Sequence, residues 1–303
     1  MTNPAYGGVA GGGPGVQGRH SWMAEIITRW GTDLLPVVGF AIVVIVAMLG
    51  PLVSSHDPLA QDLKKYLERP SWENLLGTDE LGRDTLVRLF VGIRLSLEVG
   101  FGSASLALVI GSVLGLWAGY RSGFGSAVIM RCSDVLLAFP AVLLAMLVAT
   151  VFKTGMLGVI LAIAIVSIPT YVRLANAMML SQRHLQYVEA AVAFGASPGR
   201  VIFRSVLPNI LAPLVVQTAF TIANAVLLEA GLSFLGLGIQ PPTPSLGLIL
   251  HDARGFIRTH PWFGIFPGLV LIVLVLCLNG MADAIGRRID PRNMTRKSGQ
   301  TAL

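Results

Sequence analysis

Long apolar stretches separated by short polar segments dominate the sequence. A spanning helix needs about 20 apolar residues to cross the hydrocarbon core of a bilayer. Six stretches come close to that length, which disfavours a buried helix of a water-soluble domain. They are residues 34–53, 97–120, 135–152, 156–174, 210–234 and 264–285. The pattern therefore predicts an all-α membrane protein with six transmembrane helices.

The remaining segments predict how the chain is divided. We expect residues 1–33 to form a disordered, glycine-rich N-terminus with a short interfacial helix at Trp22–Thr32. The other predicted parts are a first transmembrane helix at 34–53, an extracytoplasmic loop at 54–93, a core of five transmembrane helices at 94–286 and a tail at 287–303.

The second apolar stretch carries small residues at helical spacing. Gly111, Gly115 and Gly119 are four residues apart, so they share one face of a helix. Small residues on one face allow two membrane helices to approach closely. We expect this face to pack against another spanning helix.

Composition supports the membrane assignment. Of the 303 residues, 54% are hydrophobic and 13% are charged, with a mean hydropathy of +0.72. A soluble domain carries about 25% charged residues. The net charge of +6 is spread over loops with no basic stripe interleaved with aromatic residues, which argues against nucleic-acid binding.

The distribution of basic residues predicts the orientation. If the N-terminus is cytoplasmic, the cytoplasmic segments hold thirteen of the 22 lysines and arginines. Most of the others lie in the loop at 54–93, where acidic residues balance them. Cytoplasmic loops of membrane proteins are enriched in basic residues. We therefore expect both termini and the segment 183–208 to be cytoplasmic.

That segment predicts two short helices joined by a tight turn. Glu189–Phe194 contains good helix formers, and Gly195 then permits a left-handed turn. Ser197 and Pro198 are typical of an N-cap and a first helical residue. Pro208 predicts a stop or a bend before the next apolar stretch.

The motif Glu189-Ala190-Ala191, followed by Gly195 and then Leu207-Pro208, resembles the EAA loop of permease subunits of bacterial ABC importers. Ser205 departs from the isoleucine that the family usually has there. The resemblance implies the type I importer permease fold. It also implies that Glu189, Ala190, Ala191, Gly195, Arg200, Leu207 and Pro208, with Arg204 as a further contact, couple this chain to an ATPase.

Two further sequence motifs narrow the resemblance to one subgroup of these permeases. Gly77-Thr78-Asp79-Glu80-Leu81-Gly82-Arg83-Asp84 is similar to a signature of permeases for dipeptides, oligopeptides, nickel and glutathione. From the residues alone it is a glycine-punctuated turn, with Asp79 as the expected cap of the next helix. The second string, Leu232–Pro244, resembles the same subgroup, although Leu246 replaces its usual tryptophan.

Other candidate chemistry is weak. Gly195, Ser197 and Gly199 fit a hydrolase motif, but that motif needs a strand before the serine and helix formers precede it here. The two cysteines and five histidines lack metal-ligand spacing. No phosphate-binding Gly-Lys-Ser or Gly-Lys-Thr is present. We therefore expect a chain without catalytic residues, metal or cofactor of its own.

Glu229 lies inside the fifth apolar stretch. Ionisable groups in a membrane are costly and often functional, so Glu229 could line a transport pathway, snorkel to the interface or pair with a partner subunit. Glu98 and Asp134 lie at the edges of predicted spans, where we expect solvated positions.

The resemblance implies the partners and the activity. A second homologous permease, two ATPase subunits that bind ATP and magnesium, and an extracytoplasmic binding protein would complete an importer in the bacterial inner membrane. Dipeptides or oligopeptides are the expected substrates, with nickel chelates or glutathione as alternatives. A standalone secondary carrier is the competing class, although no internal repeat supports it.

Overall fold

The computed structural model describes residues 21–53, 57–152 and 155–289, with side chains described for 34–50, 57–152 and 155–288. These parts are helical apart from their connecting loops. The helices are α1 (Ser21–Val53), α2 (Thr85–Tyr120), α3 (Phe124–Ala138), α4 (Ala141–Phe152), α5 (Met156–Gln182), α6 (Gln186–Ala193), α7 (Pro198–Arg200), α8 (Leu207–Phe234), α9 (Leu246–Ala253) and α10 (Trp262–Ile289). The predicted disordered residues 1–20 and most of the predicted tail lie outside the described residues.

The first helix differs from its prediction. The expected interfacial segment Trp22–Thr32 is continuous with the first apolar stretch, so both belong to α1. Gly31 and Pro36 lie near the junction, and the helix runs through both positions. Pro36 packs against Gly280 of α10, and Gly39 approaches Cys277 of the same helix. Ala47 lies in a core cluster that also contains residues of α2.

The close approach of α2 and α5 is confirmed. A Cβ atom built at Gly115 would overlap the Val172 carbonyl oxygen, and one at Gly119 would lie 2.6 Å from Cβ of Met179. The glycines therefore let α5 pack along α2 at backbone distance, in the most extensive helix pair of the described chain.

The predicted continuous span at 135–152 is wrong. Two helices, α3 and α4, meet at a bend of 103°. Pro140 lies in the break; a proline there cannot donate a backbone hydrogen bond and restricts Phe139 to an extended conformation, observed as ψ of 140°. The apolar stretch thus belongs partly to each of two short helices.

The other predicted stretches fall in single helices, α1, α2, α5, α8 and α10. Within the described residues, four helices have the length and composition to cross a membrane, and the bent pair α3–α4 makes a fifth candidate. The described apolar part of α1, Leu34–Gly50, is shorter. The number of six spans and their orientation stay predictions.

Candidate functional site

The predicted helix-turn-helix is present and forms the first candidate site. Residues 186–193 form α6, and Gly195 adopts φ of +77°. Gly195 N donates to Val192 O at 2.9 Å, and Ala196 N donates to Ala191 O at 3.0 Å. These two bonds define a Schellman motif, which ends a helix with a left-handed glycine. The turn therefore depends on Gly195.

Ser197 occupies the predicted N-cap position before Pro198, with an extended ψ of 153°. Its side chain makes no capping hydrogen bond, so this part of the prediction is wrong. The serine backbone starts the helix instead, since Val201 N donates to Ser197 O at 3.0 Å.

Pro208 does not stop the second helix, contrary to the prediction. The chain passes from α7 through a π-helical segment, Val201–Val206, into α8. Leu207 N bonds to Ile202 O across this wider turn, and Pro208 then lies in the first turn of α8. A proline is tolerated there because the first helical residues need no N–H partner. The segment is thus rigidly continuous with a candidate span.

One face of this element is buried. Val188, Val201, Ile202 and Val206 join an apolar cluster with residues of α2, α5 and α8. Apolar side chains at helical spacing hold the helix-turn-helix against these helices, so it is not connected to them by a flexible linker alone. Movement of the exposed face of the helix-turn-helix would therefore be transmitted to α5 and α8.

The opposite face is exposed. Glu189 lies in the first turn of α6, and Arg200 and Arg204 lie one turn apart beyond Pro198. No described residue forms an ion pair with these three side chains. Ala190 is exposed, whereas Ala191 and Leu207 are partly buried. The charged groups are therefore available to a partner.

Phe194 is a feature that the sequence analysis missed. Its side chain is 91% exposed, directly before the left-handed Gly195. An aromatic ring projecting from a rigid turn is typical of an interface anchor. The sequence signal that could have identified Phe194 is a large apolar residue on the polar side of a short predicted helix.

Glu229 occupies a second, buried site. It is 0% exposed, and its carboxyl accepts hydrogen bonds from Ser96 at 2.7 Å and from Ser233 at 2.8 Å. Ser245, at the start of α9, also bonds to it. Snorkelling to the interface is excluded in this conformation. The carboxyl connects α2, α8 and the start of α9 through these hydrogen bonds. That Glu229 lines a transport pathway stays a prediction.

The turn at 77–84 shows that the expected cap of α2 is wrong. Asp84 caps α2, since its carboxylate accepts from Leu86 N at 2.8 Å and from Val87 N at 3.2 Å. Asp79 instead closes the turn: it accepts from Arg83 Nε at 2.6 Å and lies 3.3 Å from Arg88 Nε. The two buried arginines therefore share one buried aspartate.

Two acidic residues near this turn, Glu80 and Asp252, have raised pKa values. Burial raises the pKa of Glu80, and the negative charges of Asp252 and Asp79 raise it further. Burial also raises the pKa of Asp252, while Arg88 opposes that shift. Among the described residues, no group of three or more His, Cys, Asp or Glu side chains has the arrangement of a metal site.

The apolar helices define a multi-pass membrane protein, and the helix-turn-helix is an exposed element on its surface. The sequence pattern of the family described as "Binding-protein-dependent transport system inner membrane component" matches residues 86–291. The chain belongs to this family of inner-membrane permease components of ABC importers.

Its relatives include a dipeptide transport system permease protein of Haemophilus influenzae, 40% identical over 265 residues, covering 86% of this chain and 90% of the relative. A di/tripeptide permease protein of Pseudomonas aeruginosa is 42% identical, covering 83% and 85%. A glutathione transport system permease protein of Pectobacterium atrosepticum is 40% identical, covering 76% and 77%.

Solved structures support the fold. A chain from an inward-facing conformation of the MetNI methionine ABC transporter superposes with a TM-score of 0.56 at 21% identity, covering 68% of this chain and 96% of that chain. The chain therefore has the type I importer permease fold, and its localisation is the inner membrane.

Proposed function

We propose that this chain is one of two permease subunits of an ATP-driven importer for dipeptides or oligopeptides. The observation that carries the proposal is the exposed element at 186–204, held rigidly on α5 and α8 by its buried face. Peptide permeases among its relatives support the substrate class. Nickel chelates and glutathione are the alternative substrates, and the glutathione permease relative favours the latter.

The energy for transport comes from two ATPase subunits in this proposal. ATP and magnesium bind to those subunits, and closure of the ATPase pair moves the helix-turn-helix. Glu189 and Arg200 contact charged ATPase residues, while Phe194 enters an apolar recess. Because α7 continues through the π-helical segment into α8, that movement tilts the span carrying Glu229.

A second homologous permease completes the wall of the pathway, since the predicted six helices enclose too little space for a hydrated peptide. An extracytoplasmic binding protein delivers the substrate to the outer mouth. In this arrangement both termini and residues 183–208 lie in the cytoplasm, as the arginine distribution predicts.

Affinity purification from membranes tests the ATPase contact. The tagged wild-type chain should co-purify with an ATPase carrying a phosphate-binding loop, and Phe194→Ser should weaken this association by roughly tenfold or more. Phe124→Ser is the matched control, because Phe124 is also exposed but lies at the start of α3. Equal retention of the ATPase by both variants, or none by the wild type, would contradict the proposal.

A further inference from the structure

An ion pair connects a candidate membrane span to the first helix of the bent pair α3–α4. Arg173 Nη2 donates to Asp134 Oδ1 at 2.7 Å, joining α5 to α3. Arg173 precedes the last residue of α5, Gln182, by about 14 Å at 1.5 Å per residue, and Asp134 lies about 15 Å beyond Phe124. These helix ends lie on the same side, because α2 leads into α3 where Gly119 contacts Met179 of α5.

The pair lies on an exposed surface of this chain. The side chains of Arg173 and Asp134 are 52% and 41% exposed in this chain. Charged groups that face hydrocarbon are strongly disfavoured, and in membrane proteins they face water or protein instead. Asp134 lies ten residues after the first residue of α3, and its expected solvated position at the edge of a span stays a prediction.

The exposed face of α5 continues the polar character. Thr170 lies three residues before Arg173, on the same face of the helix, and is exposed. The opposite face, including Val172 and Met179, is buried. Packing against the glycines of α2 therefore fixes the direction in which the polar face points, and that direction is away from the core of the chain.

The group formed by Arg131, Asp134 and Arg173 has an excess positive charge. Arg131 Nη1 lies 3.9 Å from the other carboxylate oxygen of Asp134, and its side chain is 85% exposed. One aspartate thus faces two guanidinium groups. A guanidinium has five N–H donors, and the bond to Asp134 uses one of those on Arg173. The remaining donors match the geometry of a second carboxylate.

We propose that Arg173, positioned by Asp134 and assisted by Arg131, forms a transit site for the carboxylate of the substrate in the inner half of the pathway. The inference rests on the proposed peptide-import function and specifies where the substrate's negative end is held. Each peptide with a free C-terminus carries this group, so the site serves substrates with different side chains.

Thiol modification in the assembled transporter tests the site. Thr170→Cys, combined with Cys132→Ser and Cys277→Ser, places one reactive group a turn from Arg173. A negatively charged methanethiosulfonate should react faster than a positively charged one of similar size. Arg173→Gln should lower that rate ratio roughly three- to tenfold. Arg94→Gln, which removes an equally exposed arginine paired with Glu98 on α2, should leave it unchanged.

Protection identifies the ligand. A dipeptide with a free carboxylate should slow modification, and its C-terminal amide should not. The inference would be overturned if the two peptides had equal effects or if the thiol did not react. It would also be overturned if the Arg173→Gln complex lost the second permease, because the ion pair would then belong to the subunit interface. Absence of ATP-driven peptide uptake by the wild type would contradict the proposed function instead, since the reagent preference reports the charge independently.

Discussion

Ser96 on α2 donates a 2.7 Å hydrogen bond to Glu229 on α8, in the fully buried interior between two long apolar helices. Ser233 bonds to the other carboxyl oxygen at 2.8 Å. This contact links the C-terminal part of α8 to its neighbours. It therefore fixes one end of the helix whose other end continues into the exposed helix-turn-helix.

Glu229→Ala should destabilise the protein by about 2 kcal/mol, because it leaves buried serine hydroxyls without their acceptor and opens a cavity. Glu229→Gln keeps an acceptor oxygen of similar size and should cost less than half as much. Thermal unfolding of the purified protein in detergent measures both. Identical unfolding temperatures for the two variants would show that the hydrogen bonds contribute nothing.

Gly115→Leu should destabilise the α2–α5 pair by about 1–3 kcal/mol or prevent assembly, since the new side chain would overlap the Val172 carbonyl group. Gly231→Ala in α8 is the control, because a Cβ there meets no atom within 4 Å. The yield of folded protein and its unfolding temperature report the difference. A Gly115→Leu protein as stable as the control would contradict the described packing.

Gly195→Pro should abolish uptake while leaving membrane insertion intact, because proline cannot adopt the φ of +77° found at this turn. Gly195→Ala should retain partial function, at a strain of roughly 1–2 kcal/mol. Gly199→Ala, at an open helical position nearby, should transport normally. Uptake by cells lacking the wild-type chain provides the measurement, and normal uptake with Gly195→Pro would refute the coupling role.

Glu80→Gln should make the stability of the folded protein less sensitive to rising pH in the acidic range. A folded-state pKa raised above its ordinary value near 4.5 means that the folded protein binds the proton more tightly, so stability falls as pH rises through that raised pKa. Glutamine removes this loss. The unfolding temperature of the variant relative to the wild type should rise as pH increases from 4.5 through the raised pKa and then level off, and a difference that is constant over this acidic range would contradict the assignment.

The sequence was sufficient to predict features that depend on local chemistry. Apolar length located all of the long helices except the bent pair, the glycine spacing on α2 predicted close packing against another spanning helix, and Gly195 with Pro198 predicted the turn. These signals are specified within a few residues and do not depend on distant partners. The family followed from the motifs around Glu189 and Asp79.

Other features depend on tertiary context. The bend at Pro140 divides a stretch whose hydropathy is uniform, and Pro208 is accommodated by a π-helical segment that spacing alone does not reveal. Asp79 lost the capping role to Asp84 because two buried arginines compete for its carboxylate. The pairing of Arg173 with Asp134 joins residues 39 positions apart, which required the packed helices.

The central claim is that this chain transports peptide by coupling to ATP hydrolysis in partner subunits. The direct measurement is uptake of a labelled dipeptide into proteoliposomes containing this chain, its partner permease and both ATPases, with binding protein supplied on the outer face. We predict uptake that requires ATP and the binding protein and that Gly195→Pro eliminates. Uptake by this chain alone, driven by an ion gradient without ATP, would contradict the account.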